Sequence, residues 1–138
     1  MLYIEGEEAS AMTIKELETT LGMTRANIRF YEQEGFISPA RGGNNYRIYS
    51  EEDVETLRKI KLLRQLGLPL DTIKQVQRGE LGLDAALARQ QHTLETQRAE
   101  LEWADRVCAS MRSDRVEYAT LDAQKYLDAL GRPAEGEG

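Results

Sequence analysis

The sequence predicts a mainly α-helical chain: two short helices joined by a tight turn, a small hairpin or wing, two further helices, and one long helix. Three observations carry that expectation. Residues suited to capping helices, Thr13, Thr24 and Ser50, stand just before apolar residues that recur at three- and four-residue spacing. Glycines stand where each short helix can stop, at Gly22, Gly35, Gly67 and Gly79. Residues 84 to 113 contain neither proline nor glycine, so nothing interrupts a helix there.

Thr13 and Glu16 have capping-box spacing, and Ile14, Leu17 and Leu21 share one face of the helix they open. Thr24 starts a second helix with Ile28 and Tyr31 three apart, ending near Gly35; this is a helix-turn-helix pattern. FISPARGGNNYRIYS reads as a hairpin or looser wing because Pro39 and the GGNN run oppose a helix. Ser50 and Asp53 repeat the capping pattern ahead of Val54, Leu57, Ile60, Leu63 and Leu66. Leu70, Ile73 and Val76 mark another short helix before Gly79. The stretch from Asp84 to Ser113 predicts a helix of ~30 residues and ~45 Å, with Leu87, Leu94, Leu101 and Cys108 at intervals of seven. Gln90, Gln97, Ala104 and Met111 follow three residues later. Such a narrow stripe asks for a partner helix, or for packing on the N-terminal part, and does not set the partner's direction. A short helix through Leu121, Tyr126, Leu127 and Leu130 and a polar tail, GRPAEGEG, complete the chain. The expected divisions are an N-terminal extension (1–11), the helix-turn-helix part with its second helical pair (12–79), a linker and long helix (80–116), and a C-terminal segment or tail (117–138).

A chain of 138 residues, 41 % apolar, supports one ordinary domain with an appendage. No run of 18 apolar residues occurs, and MLYIEGEEAS lacks the basic and apolar regions of an export signal, so a soluble, cytoplasmic chain is expected. Cys108 and His92 stand alone in their residue types, which excludes an intrachain disulfide and makes a zinc site within one chain hard to build. A site shared between subunits stays open.

The formal net charge is −6, against a phosphate-bearing partner if taken as a whole, yet its distribution is uneven. Residues 79 to 138 sum to −5 and residues 1 to 78 to −1. Between Arg25 and Tyr49 the cations Arg25, Arg29, Arg41 and Arg47 outnumber Glu32 and Glu34, and Arg58, Lys59, Lys61 and Arg64 follow. Nucleic acid, if bound, meets the first part.

The order of motifs then resembles the mercury-resistance-regulator (MerR) family of bacterial transcription factors. The residues that carry the likeness are T-I-K-E-L at 13–17, R-F-Y-E at 29–32, G-F-I-S-P at 35–39, N-Y-R-I-Y-S-E-E-D at 45–53 and L-R-Q-L-G at 63–67. The resemblance covers Met12 to Val76 and extends by architecture alone through the long helix. It implies a winged helix-turn-helix DNA-binding domain with a long C-terminal dimerisation helix forming an antiparallel coiled coil. It also implies binding, as a homodimer, to a pseudo-palindromic operator in double-stranded promoter DNA, distorted for use by RNA polymerase, which places the chain at the nucleoid.

Under that resemblance the expected DNA-binding residues are Thr24, Arg25, Arg29, Tyr31, Arg41, Asn44, Tyr46, Arg47, Tyr49 and Arg64. Thr24 caps a helix whose open N–H groups suit DNA, and Arg25 reaches a phosphate or a base edge. Arg29 and Tyr31 match positions that hold the backbone. Phe30 stands where the family often has tyrosine, either losing a hydroxyl contact or serving as core. Arg41, Asn44, Tyr46, Arg47 and Tyr49 place donors on a turn, as phosphate and sugar contact requires. Alternation turns one of Tyr46 and Ile48 inward. Arg64 matches a basic residue that reaches phosphates near the operator centre, while Arg58, Lys59 and Lys61 are expected only to solvate a face. The expected dimerisation residues are Leu87, Leu94, Leu101, Cys108 and Met111.

An enzyme is not expected. Glu51, Glu52 and Asp53 suit the first turn of a helix, and neither a nucleophile arrangement nor a phosphate-cradling loop is present in the sequence. No cofactor or metal is expected: Leu81, Gly82 and Leu83 stand where metal-sensing relatives usually carry a cysteine, and Cys108 in the seam reads as core. The sequence names no small-molecule effector, and the residues after Met111 are too few for a separate ligand domain. The chain is thus a short regulator or the DNA-binding part of a longer one. A helical assembly protein that retains the fold, or a nonspecific DNA architectural protein, is the alternative function.

Overall fold

The computed structural model describes residues 11–129 and 131, in two compact units, Met1–Leu83 and Asp84–Gly138. In the first unit, α1 (Ile14–Leu21) and α2 (Arg25–Gln33) form the helix-turn-helix. They are followed by β1 (Ala40–Arg41), β2 (Arg47–Ile48), α3 (Glu51–Gln65) and α4 (Leu70–Gln77). Both expected capping boxes form. The Thr13 hydroxyl accepts the Glu16 N–H at 3.2 Å while the Glu16 carboxylate accepts the Thr13 N–H at 2.9 Å; Ser50 and Asp53 make the same exchange at 3.0 Å each way. These bonds satisfy N–H groups that the first helical turn leaves open, worth about 1 kcal/mol per cap.

The turn between α1 and α2 is built on Gly22, with φ 63° in the left-handed region. A Cβ there would meet Lys61 Nζ at 3.2 Å. The close approach has a purpose, because Lys61 on α3 donates to the Leu21 carbonyl, one of the carbonyls that α1 leaves open at its end. The expectation that Lys61 merely solvates an exposed face is therefore corrected. Beneath this joint Leu17, Ile28, Leu57 and Leu68 are completely buried, one or more from each adjoining element. Burying each such side chain contributes about 1.5–3 kcal/mol. Lys74 on α4 reaches Glu34 at 2.6 Å and lies over the Phe36 ring, while Gln77 donates to the Phe36 carbonyl at 2.9 Å. The second helical pair is thereby tied to the end of α2.

The wing is a minimal antiparallel hairpin pairing Ala40 with Ile48 and Arg41 with Arg47. Its turn closes through Gly42 N–H to Tyr46 O at 2.9 Å and Asn45 N–H to Gly42 O at 3.0 Å, with Asn45 in the left-handed region that asparagine tolerates. Ile48 turns inward over Gly42, whose missing Cβ would lie 2.8 Å from Ile48 Cδ1, and Tyr46 turns outward. Met12 and Tyr49 exchange backbone hydrogen bonds at 2.9 and 2.8 Å, adding a bridge from the N-terminal segment.

Tyr49 departs from its expected place among outward donors. Its side chain is 0 % exposed, and its hydroxyl has no hydrogen-bond partner among the described residues. Burial first, then the nearby Glu32 carboxylate, pushes the phenol's pKa above its ordinary value. Tyr49 is core at the root of the wing. Phe30, conversely, is 41 % exposed, its ring edge-on to Tyr31, so it is not core.

The second unit consists of α5 (Leu83–Asp114), a 3-10 turn (Tyr118–Thr120) and α6 (Ala123–Ala129). The 32 residues of α5 span ~48 Å. The chain reverses after Arg115, which has φ 53°. Tyr126 then buries its ring and donates to Asp114 Oδ2 at 2.6 Å, a bond that raises the Tyr126 pKa. Leu127 stays exposed, and the expected helical position Leu130 lies outside the described residues, as do residues 1–10 and 132–138. No described helix is long and apolar enough to cross a membrane.

Tyr49→Phe should leave the thermal midpoint unchanged or raise it, because it removes only a buried hydroxyl whose unsatisfied state costs about 1–3 kcal/mol. Thermal denaturation followed by circular dichroism checks this; a clear fall in the midpoint would mean that the hydroxyl has a partner in solution.

Candidate nucleic-acid interface

The exposed face of α2 lies between two grooves, each lined with cations. Thr24 starts the helix in extended conformation and accepts the Asn27 N–H at 3.1 Å. The next N–H, of Arg25, does not remain open as expected: Glu18 Oε2 on α1 accepts it at 2.8 Å, and Glu18 Oε1 lies 3.4 Å from Arg25 Nη2. One carboxylate thus caps the helix and holds its first arginine. An acid beside a helix N-terminus is also favoured by the dipole.

The groove on the wing side, of about 490 Å³, is lined by Lys15, Arg25, Arg29, Asn45, Tyr46 and Arg47, together with Thr13 and Ile14. Arg47 is held here by Glu32, which accepts from its Nε at 2.7 Å across the interval between wing and α2. The pair is only partly exposed, 28 % for Arg47 and 20 % for Glu32. Arg47 is therefore a strut between wing and helix as well as a cation of the groove. Arg41 points its guanidinium back to the Asn45 carbonyl at 3.0 Å, stiffening the turn. Asn44 is exposed at the tip.

The groove on the opposite side, of about 330 Å³, is lined by Thr24, Asn27, Tyr31, Lys61, Arg64 and Gln65 with Gly22 and Met23. Tyr31 is only 9 % exposed, its ring packed edge-on against Phe30 and Phe36. Arg64 donates from Nη1 to the Leu68 carbonyl at 3.0 Å, which holds its guanidinium beside the turn that follows α3. A guanidinium held at a groove edge keeps further N–H donors that suit a phosphate oxygen.

Of the ten expected DNA-binding residues, the structure gathers Thr24, Arg25, Arg29, Tyr31, Tyr46, Arg47 and Arg64 around these two grooves. It leaves Arg41 on β1 and Asn44 on the wing turn, outside the residues that line the grooves, and buries Tyr49. Lys15, Glu18 and Lys61 join the site although the sequence did not single them out for it. Glu18 and Lys61 pair with residues on neighbouring elements, and Lys15 and Glu18 sit among ordinary polar positions of an amphipathic helix. Along α5, Leu94 is 46 % and Leu101 70 % exposed, Cys108 is exposed, and Leu87 and Met111 are half-buried. Among the described residues no group of three or more His, Cys, Asp or Glu side chains is placed to hold a metal ion.

The MerR HTH family regulatory protein model matches residues 12–80. The chain is similar to heavy metal-dependent transcription regulator 2 of Rhizobium meliloti (strain 1021), with 44 % identity over 66 residues, 47 % of this chain and 45 % of that protein. The matched stretch thus spans somewhat under half the length of that relative. Among solved structures it is similar to the HTH-type regulator SkgA from Caulobacter crescentus, with a TM-score of 0.54 at 28 % identity over 90 % of each chain. It is also similar in fold to HiNmlR, a MerR family regulator lacking the sensor domain, solved bound to promoter DNA. That likeness has a TM-score of 0.53 at 21 % identity and covers 89 % of this chain and 97 % of that one. With the model matched from the bridge residue Met12 to the residue after Gly79, the chain belongs to the MerR family of helix-turn-helix regulatory proteins, a family of DNA-binding regulators and not of enzymes.

Proposed function

We propose that this chain is a transcriptional regulator that binds a pseudo-palindromic promoter operator as a homodimer and changes the geometry of that DNA to control RNA polymerase. The observation that carries the proposal is the position of α2 between two cation-lined grooves. A helix of this width enters a major groove, and the flanking cations then lie toward the phosphates on its two sides. HiNmlR, of similar fold, was solved on promoter DNA, which supports the same use of this fold here. The heavy-metal dependence of the Rhizobium meliloti relative is not carried over, since the match covers 45 % of it.

Homodimerisation is supported by Leu94 and Leu101, both exposed in the single chain and seven residues apart on an uninterrupted helix. An antiparallel pairing of two α5 helices would remove both from water, along with Cys108. It would also set the distance between two recognition helices. If relaxed half-sites do not match that distance the duplex must bend or change twist, at about 1–6 kcal/mol for smooth bending of a 20–30 base-pair site. Contacts at Arg47 and Arg64 would offset this cost on each half-site. Selective binding is favoured over nonspecific DNA architecture by the pairing of Arg25 and Arg47 with carboxylates, which lowers general attraction to phosphate.

Arg47→Ala should weaken matched and mismatched sites about equally and reduce the salt slope by about 0.9 per chain if one phosphate contact is lost. Arg25→Ala should instead narrow the difference between those sites, by about 1–3 kcal/mol if a bidentate base contact is lost. Fluorescence anisotropy across an operator-mutation panel and a salt series checks both, and the opposite pattern would exchange the two roles. Leu94→Asp should shift the protein from dimer to monomer at micromolar concentration in sedimentation velocity without lowering its helix content; a wild-type protein that stays monomeric would remove the homodimer from the proposal.

A further inference from the structure

Glu18 places a negative charge on the face proposed to meet phosphate, where a neutral acceptor could also take the Arg25 N–H and would forgo only a small dipole interaction. Its Oε2 takes the Arg25 N–H at 2.8 Å, and its Oε1 stands 3.4 Å from Arg25 Nη2, with the two side chains 34 % and 46 % exposed. The capping needs only an oxygen. The charge acts on the guanidinium, which Glu18 holds back against α1 before any DNA is present.

We infer that Glu18 is a specificity-setting positioning residue: its carboxylate retains Arg25 on arbitrary duplex and yields it only where a matched base edge offers better hydrogen bonds. This rests on the DNA-binding reading above. On unmatched DNA a phosphate must compete with Glu18 for Arg25, and part of the attraction is lost. On a matched site Arg25 exchanges one exposed, long ion pair for two hydrogen bonds to one base, as arginine makes to guanine. The penalty therefore falls mainly on the wrong DNA. An exposed pair of this kind is weak, so the effect per chain is roughly two- to fivefold.

The test uses the whole chain, an inverted repeat recovered from a random duplex library with the wild-type protein, and a scrambled duplex of the same composition. Glu18→Gln keeps an oxygen for the Arg25 N–H and removes the charge. It should lower the thermal midpoint only slightly, through the lost dipole interaction, and tighten binding to the scrambled duplex by roughly two- to fivefold per chain. It should also steepen the salt slope on that duplex by about 0.9 per chain, and change affinity for the selected repeat less. In an Arg25→Ala background the same substitution should do nothing. An unchanged ratio of selected to scrambled affinity in Glu18→Gln, or a change that persists without Arg25, overturns the inference and leaves DNA recognition standing. Failure of the wild-type protein to enrich any repeat overturns both.

Discussion

Lys61 donates from α3 to the Leu21 carbonyl at the end of α1, directly beneath Gly22, and the geometry of the surface proposed to face DNA depends on that joint. A helix-turn-helix is useful only if its second helix leaves the first at a fixed angle. Three conditions fix it here: a left-handed residue at the turn, a cation on the helix end, and a core in which Leu17, Ile28 and Leu57 come from the three helices concerned. Any residue larger than glycine at position 22 would strain the backbone and press on the lysine at once. The same lysine lines one of the two grooves beside α2, so the element that sets the helix angle also supplies charge to the surface it orients.

Two of the arginines on that surface are paired with carboxylates. Glu18 holds Arg25 and Glu32 holds Arg47, one at the start of α2 and one at its last turn. Residues 1–78 as a whole sum to −1. The pairing fits a nearly neutral unit to the polyanionic partner proposed for it. General attraction to duplex is kept low, whereas donors already oriented by their carboxylates need little reorganisation to meet a site of the right shape. The Glu32 pair does a further mechanical task by bracing a hairpin of only two paired positions, which is too small to be rigid by its own ladder.

Local patterns made most of the fold legible. Thr13 with Glu16 and Ser50 with Asp53 each announce a helix start from residues three apart, and the structure closes both boxes. The long proline- and glycine-free stretch became α5, extended by one residue at each end. What stayed hidden depends on contacts distant in sequence. Tyr49 shares the wing motif with Tyr46, but the bridge to Met12 carries its ring into the core, and no local alternation foretells that. Lys61 looked like one of several cations on a solvated helix face, since its partner lies 40 residues earlier. Glu18 escaped because its partner Arg25 sits across the turn on the next helix, where the spacing within a single helix gives no guide.

The proposed mechanism rests on a length requirement in the dimer. Each recognition helix is set by its own joint, while the separation of two such helices would be set by paired α5 helices of 32 residues. Under that proposal the paired helices would hold their spacing and the DNA would adapt to it, at an elastic cost that phosphate contacts on both half-sites would offset. The most direct test is the topology of the operator with the protein bound, read as the linking-number distribution of relaxed minicircles carrying one operator copy. The account predicts that full occupancy shifts the distribution or the phase of circularisation relative to free DNA. Unchanged twist and bend at full occupancy would contradict it.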